Sequence, residues 1–160
     1  MRIGALSDTH ASSLADLPPK IVEELRHVDL IVHVGDYTSR QVLDDLRALG
    51  PFRGVAGNMD GLSIRSELPD QDIIEVEGRR IGLTHGNGAP AGLARRVRQQ
   101  FAGDIDVIVY GHSHMAGKET VNGVLMFNPG SATGRWPANR ASFGILTIDE
   151  RGIKAEIVWV

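Results

Sequence analysis

The apolar runs of this chain keep ending on the same kinds of residue. Residues 3–6 run into Ser7-Asp8, 30–34 into Gly35-Asp36, 52–56 into Gly57-Asn58, 80–84 into His85-Gly86, and 106–110 into Gly111-His112-Ser113-His114. Short apolar runs bounded by turn residues predict buried strands. Stretches with helical spacing separate the first three. Pro18 and Pro19 open one that aligns Ile21, Val22, Leu25 and Val28 on a single face. Thr38 with Gln41 reads as a capping box ahead of the other, whose buried stripe is Val42, Leu43, Leu46 and Leu49 and which Gly50-Pro51 stops.

Later in the chain the signals are those of hairpins. Residues 73–76 and 80–84 flank Glu77-Gly78, 118–121 and 124–127 flank Asn122-Gly123, and 143–148 and 153–160 flank a turn over 149–152. A third helix is predicted over 91–101, with Leu93, Val97 and Phe101 inward and Arg95, Arg96 and Arg98 on a solvated face. Early β–α alternation followed by hairpins implies a mixed α/β sheet system flanked by helices. With no repeat or linker, 1–160 is expected to form one domain.

Composition narrows the chemistry. No cysteine is present, which removes disulfides, zinc–thiolate sites and thiol catalysis together, so a metal would have to be held by nitrogen and oxygen. The hydrophobic fraction of 42% and net charge of -3 describe an ordinary globular chain without the basic face of a general nucleic-acid binder. No run approaches the roughly 20 apolar residues of a membrane helix. The first residues carry no signal-peptide pattern, so a cytoplasmic location is expected.

Asp8, His10, Asp36, Asn58, His85, His112 and His114 therefore all lie just after predicted strands, where an α/β sheet gathers its ligands. Carboxylate, imidazole and carboxamide donors together suit borderline divalent ions. Seven donors are too many for one such ion but fit two if a carboxylate bridges, and a two-metal clamp suits displacement at phosphorus. Singly, each residue has a plainer role, a loop histidine or a turn-capping aspartate. The coincidence over five loops favours the metal site.

The series Asp8-Thr9-His10, Gly35-Asp36, Gly57-Asn58-Met59-Asp60, His85-Gly86 and Gly111-His112-Ser113-His114 resembles the calcineurin-like metallophosphoesterases, and within them the small single-domain phosphodiesterase branch. Asn128-Pro129-Gly130-Ser131 matches a turn usual in that branch, so the likeness spans residues 1 to about 134. It implies a four-layer αββα sandwich of two packed mixed β-sheets with helices outside. It also implies that Asp8, His10, Asp36 and His114 surround one divalent ion and Asp36, Asn58, His85 and His112 the other. Asp36 then bridges, and Asp36, Asn58 and His85 sit at the catalytic centre. Manganese is the first expectation, with iron, zinc, nickel or cobalt as alternatives. The implied activity is hydrolysis of a small phosphoester, foremost a phosphodiester, by in-line attack of a hydroxide shared by the two ions.

One position departs from the pattern. Many relatives carry a histidine where this chain has Met59, and a thioether cannot protonate a leaving group. A bias toward good leaving groups, such as aryl esters, is the expected consequence. Arg135 and Arg140 are candidate phosphate-binding forks. Asp60 and His33 are expected to support the site without ligating, His27 to sit exposed at a helix C-terminus, and Trp136 and Trp159 to be packing residues. Two rival functions remain: a non-catalytic scaffold of the same fold, as in the retromer subunit of the superfamily, and a nuclease. Met59 favours the scaffold, while the full ligand set counts against it. The near-neutral charge counts against the nuclease. The sequence leaves room for a homo-oligomer.

Overall fold

A computed structural model describes residues 1–160. Ten strands form two five-stranded sheets. The first has the order β10 (Gly152–Trp159), β9 (Ser142–Asp149), β1 (Arg2–Leu6), β2 (Leu30–Val34), β3 (Phe52–Val55); the second β4 (Gln71–Val76), β5 (Arg79–Thr84), β6 (Val107–Tyr110), β8 (Val124–Asn128), β7 (Gly117–Val121). β1, β2 and β3 pair in parallel, as do β5, β6 and β8. The hairpins β4–β5, β7–β8 and β9–β10 are antiparallel.

Alternation along the strands makes the layers, because successive side chains point to opposite faces. Leu30, Val32 and Val34 of β2 meet Ile81, Leu83, Val107 and Val109 of the other sheet in a shared core. Ile31, on the opposite face, packs instead with Ile21, Leu25, Val42, Leu43 and Leu46 of α1 (Pro19–Leu25) and α2 (Arg40–Leu49). Ile108 and Tyr110 turn outward against Leu93 and Val97 of α4 (Leu93–Gln99). The result is helix, sheet, sheet, helix, the four-layer sandwich that the resemblance implied.

Local details depart from expectation. The helix after β2 is capped by Ser39, whose hydroxyl accepts from the Gln41 N–H, while Thr38 lies outside it with φ 66°. Thr38 was the expected cap, but its N–H is drawn to Asp60. α4 is shorter than 91–101, since Gly92 precedes it in a left-handed conformation. Two single turns carried too few periodic residues to stand out: a 3-10 turn at Leu14–Asp16, boxed by Ser13 and Asp16, and α3 (Leu62–Arg65). No helix is long and apolar enough to cross a membrane.

Candidate metal centre

Parallel pairing puts the C-terminal ends of β1, β2 and β3 side by side, and those of β5 and β6 likewise in the facing sheet. Backbone hydrogen bonds then tie the emerging loops to one another: Asp8 N–H to Gly35 O (3.0 Å), His10 N–H to Asp36 O (3.1 Å) and Gly111 N–H to His85 O (3.0 Å). Asp8, His10, Asp36, His112 and His114 all adopt left-handed backbone, with φ of 50°, 44°, 60°, 70° and 59°. Non-glycine residues rarely accept that conformation, and they do so chiefly at functional sites.

All seven candidate ligands meet at this end of the sandwich. His10 Nε2 is 3.6 Å from Asp36 Oδ2, and His85 Nε2 lies 3.4 Å from Asp36 Oδ2 and 3.8 Å from Asp8 Oδ1. His114 Nε2 is 3.3 Å from Asp8 Oδ1 and 3.2 Å from His10 Nε2. Asp8, His10 and His114 form one group able to hold a metal, and Asp8, Asp36 and His85 another. Asp8 is shared by the two groups, while Asp36 belongs to the second and reaches the first through its contact with His10. Asn58 Oδ1 stands 3.1 Å from His112 Nδ1.

The far side of each ring decides what the near side can do. His85 Nδ1–H donates to Val34 O (2.7 Å), His112 Nε2–H to Gly88 O (2.9 Å), and His114 Nδ1–H to Trp136 O (2.9 Å) and Arg135 O (3.1 Å). In a neutral imidazole the other nitrogen then carries a lone pair. Those lone pairs face the oxygens of Asp8, Asp36 and Asn58, an arrangement that repels unless positive charge sits between them. Asp8 Oδ1 and His85 Nε2 are buried with no hydrogen-bond partner, as expected of atoms shaped for a cation. The residues therefore fit a metal centre, and backbone carbonyls supply the ring orientation that metal-binding histidines usually receive.

The electrostatics of the centre divide its histidines. Burial opposes protonation of His85, yet Asp36 and Asp8 raise its pKa above the ordinary value. Close contact with the Asp8 carboxylate, and its charge, likewise raise His114. Burial works to raise the Asp36 carboxyl, but His85, the Met59 N–H and His10 hold it low. His10 is lowered, because burial outweighs Asp36 and Asp8.

Supporting groups brace the ligands. Asp60 Oδ2 accepts from Gly57 N–H (2.7 Å) and Asp36 N–H (3.0 Å), and its Oδ1 accepts from Thr38 N–H (2.8 Å). Ser7 Oγ–H and His112 N–H both donate to Asp8 Oδ2 (2.7 and 3.0 Å). His33 is fully buried, stacked on Tyr37, with Nδ1 accepting from Gly35 N–H and Nε2–H donating to Thr9 Oγ1. The 128–131 turn holds two loops at once: Asn128 Nδ2 donates to Gly111 O and Ser113 Oγ, and Ser131 Oγ to Asp8 O. Gly57 and Gly111 are required by close approach: an added Cβ would sit 2.2 Å from Asp36 Oδ1 and 1.8 Å from Ser7 Oγ, respectively.

Other predicted residues fall on the rim or away from it. Met59 is 58% exposed beside Asp36, whose Oδ1 accepts its N–H. Arg135 is exposed, near enough for its charge to disfavour protonation of His10. Arg140 is turned away, its guanidinium 5.8 Å from the Trp159 ring. Trp136, expected to pack, is 85% exposed, because its loop is held by backbone atoms rather than by its indole. Arg96, expected in solvent, instead folds back on the carbonyls of Asn87, Ala89 and Ala91 and secures the loop that carries Gly88. Sequence reasoning missed the polar cleft beside Asn58 and His85, whose lining includes Arg65, Gln71 and Gln100. Nothing in the periodicity distinguishes those residues from ordinary surface.

Known proteins share this sequence pattern and fold. A probable metallophosphoesterase of Methanocaldococcus jannaschii is 38% identical over 138 residues, covering 83% of this chain and 69% of that protein. An archaeal phosphodiesterase structure superposes with TM-score 0.76 at 27% identity, over 99% of this chain and 100% of that one. Vps29 of Entamoeba histolytica, solved in complex with zinc, superposes with TM-score 0.75 at 25% identity, over 99% of each chain. The model for the calcineurin-like phosphoesterase superfamily domain matches residues 1–151, and the chain belongs to that family.

Proposed function

We propose that the protein is a dinuclear metal-dependent phosphodiesterase. The observation that carries this is the set of imidazole nitrogens on His85, His112 and His114 whose lone pairs, fixed by backbone acceptors behind them, face acidic or carboxamide oxygens. Asp8, His10, Asp36 and His114 would hold one ion and Asp36, Asn58, His85 and His112 the other, with manganese the first candidate and iron, zinc, nickel or cobalt next. When bound, two such ions supply Lewis-acid charge for the phosphoryl oxygens and acidify water, which suits in-line attack of hydroxide on phosphorus. The protein's part is orientation: Asp60 fixes the Asp36 and Gly57 backbone, and Ser7 fixes Asp8. Arg135 stands on the rim as a candidate contact for a phosphate oxygen. Arg140 would reach one only by leaving Trp159.

Manganese-reconstituted protein is expected to hydrolyse bis(4-nitrophenyl) phosphate, to stop on chelation, and to lose at least about a hundredfold in Asp36→Asn. Turnover surviving both treatments would overturn the mechanism. Met59, exposed and with a thioether that cannot offer a proton, favours a second reading in which the fold serves as a scaffold, as the similarity to Vps29 allows. Two tightly bound ions with no turnover on any phosphoester would favour that alternative.

A further inference from the structure

A diester held at the proposed centre has a second arm to place. Beside Asn58 and His85 the surface opens into a cleft of about 340 Å³, within the lower range of small-ligand sites. Ala56 is the one hydrophobic residue among its eleven lining residues, so what distinguishes one arm from another there is hydrogen bonding rather than contact with apolar side chains. Arg65 and Asp70 contribute one charge of each sign, so a second phosphate or a carboxylate is not specifically favoured. Side-chain amides of Asn87, Gln71 and Gln100 supply both donors and acceptors. Part of this wall is already tied: Gln71 Nε2 donates to Gln100 O (3.2 Å), and Thr84 Oγ1 donates to Gln100 Oε1 (3.3 Å). Arg65 makes no ion pair, whereas Arg40 and Arg47 converge on Glu67, so its fork is free to donate into the cleft.

We infer that this cleft receives the non-leaving arm of the substrate, and that the arm is uncharged and dense in hydroxyl or amide-type groups, the chemistry shared by a nucleoside and a polyol. The inference rests on the phosphodiesterase reading for its chemistry, and on the cleft's own residues for its selectivity. Arg65 and Gln71 are the specificity-determining side chains, and both lie at exposed positions where substitution leaves the core intact.

Three diesters with a common 4-nitrophenyl leaving group provide the test: the methyl, glyceryl and thymidine-5′ esters, assayed with the manganese-reconstituted full chain. At least one polar-arm ester is expected to exceed the methyl ester about tenfold in kcat/KM, the worth of one or two hydrogen bonds. Arg65→Ala and Gln71→Ala should bring it down to the methyl level, the ratio of polar-arm to methyl ester and not the methyl rate itself being the readout. The thymidine-to-glyceryl ratio identifies which source of the chemistry is bound. Equal rates on all three esters, or an equal loss on all three in the variants, would overturn the assignment. Calorimetric titration with thymidine 5′-phosphate and with methyl phosphate separates the two readings. Preferential thymidine phosphate binding without turnover of any ester sinks the phosphodiesterase and sustains the cleft. Affinity for thymidine 5′-phosphate and for glycerol 3-phosphate, titrated alongside, no higher than for methyl phosphate sinks the cleft, whatever the activity.

Discussion

Replacing Asp60 by asparagine tests how the metal-binding loops are held. The carboxylate is 5% exposed and accepts three backbone N–H groups, two on Oδ2 and one on Oδ1. A carboxamide of the same shape has one oxygen. Its best orientation keeps that oxygen on Gly57 and Asp36 and turns the NH2 toward the Thr38 N–H, donor against donor. Two charge-assisted bonds become neutral ones, at about 1 kcal/mol each, and one donor loses its partner, at about 1–3 kcal/mol. Burial raises the pKa of Asp60 despite those bonds. Removing the buried charge therefore returns part of the loss, leaving a net destabilisation of about 2–4 kcal/mol. For a domain of this size that lowers Tm by roughly 5–15 °C. Circular-dichroism melts of the metal-free protein measure this directly, and competition with a chromophoric chelator should show weakened metal affinity as Asp36 and Asn58 lose their anchor. A variant melting within about 2 °C of wild type, with unchanged affinity, would refute the bracing role.

Buried, neutral His33 should make the metal-free protein acid-labile. Burial first and His85 second drive its pKa down to about 3, against 6.5 for an ordinary histidine. Above pH ~6.5 both folded and unfolded states are neutral and the group contributes nothing. Between there and about 3 only the unfolded chain takes up the proton, so stability falls by about 1.4 kcal/mol per pH unit. His33→Gln should lose that slope in denaturant titrations, and identical slopes would exclude the effect. Gly111→Ala, whose Cβ would meet Ser7 Oγ at 1.8 Å and Asp8 Oδ2 at 2.8 Å, should destabilise by about 1–3 kcal/mol and reduce bound metal in elemental analysis. Full metal content in a stable variant would contradict the packing. Manganese at a hundred times its dissociation constant should stabilise the protein by about 2.7 kcal/mol, and a Tm indifferent to manganese would contradict the proposed centre.

The sandwich was legible where periodicity reports burial. Leu30, Val32 and Val34 against Ile31 is the alternation of a strand covered on both faces, and ligands at strand ends follow from parallel pairing. Sequence order does not reveal that β9 joins the first sheet beside β1, since Arg2 pairs with Thr147 across almost the whole chain. At the centre, residue types and spacing marked seven donors that the fold brings together. The atoms that orient them were invisible, because Val34 O, Gly88 O and Trp136 O are backbone groups that any residue supplies. The exposure of Trp136 and the capping by Ser39 were set in the same way, by where neighbouring backbone had to go.

The left-handed backbone at Asp8, His10, Asp36, His112 and His114 bears on how such a protein changes over time. Each of these conformations costs about 1–2 kcal/mol for a side-chain-bearing residue, with aspartate and histidine among those that tolerate it best. Domains of this kind hold only about 5–15 kcal/mol in total. Glycine at these positions would relieve that strain, but at Asp8, Asp36, His112 and His114 it would also forfeit side-chain hydrogen bonds, which leaves His10 as the position where relief costs least. A lineage released from phosphoester chemistry is thus expected to lose His10 ahead of the other four. In this chain all five positions carry the side chains that the proposed centre requires.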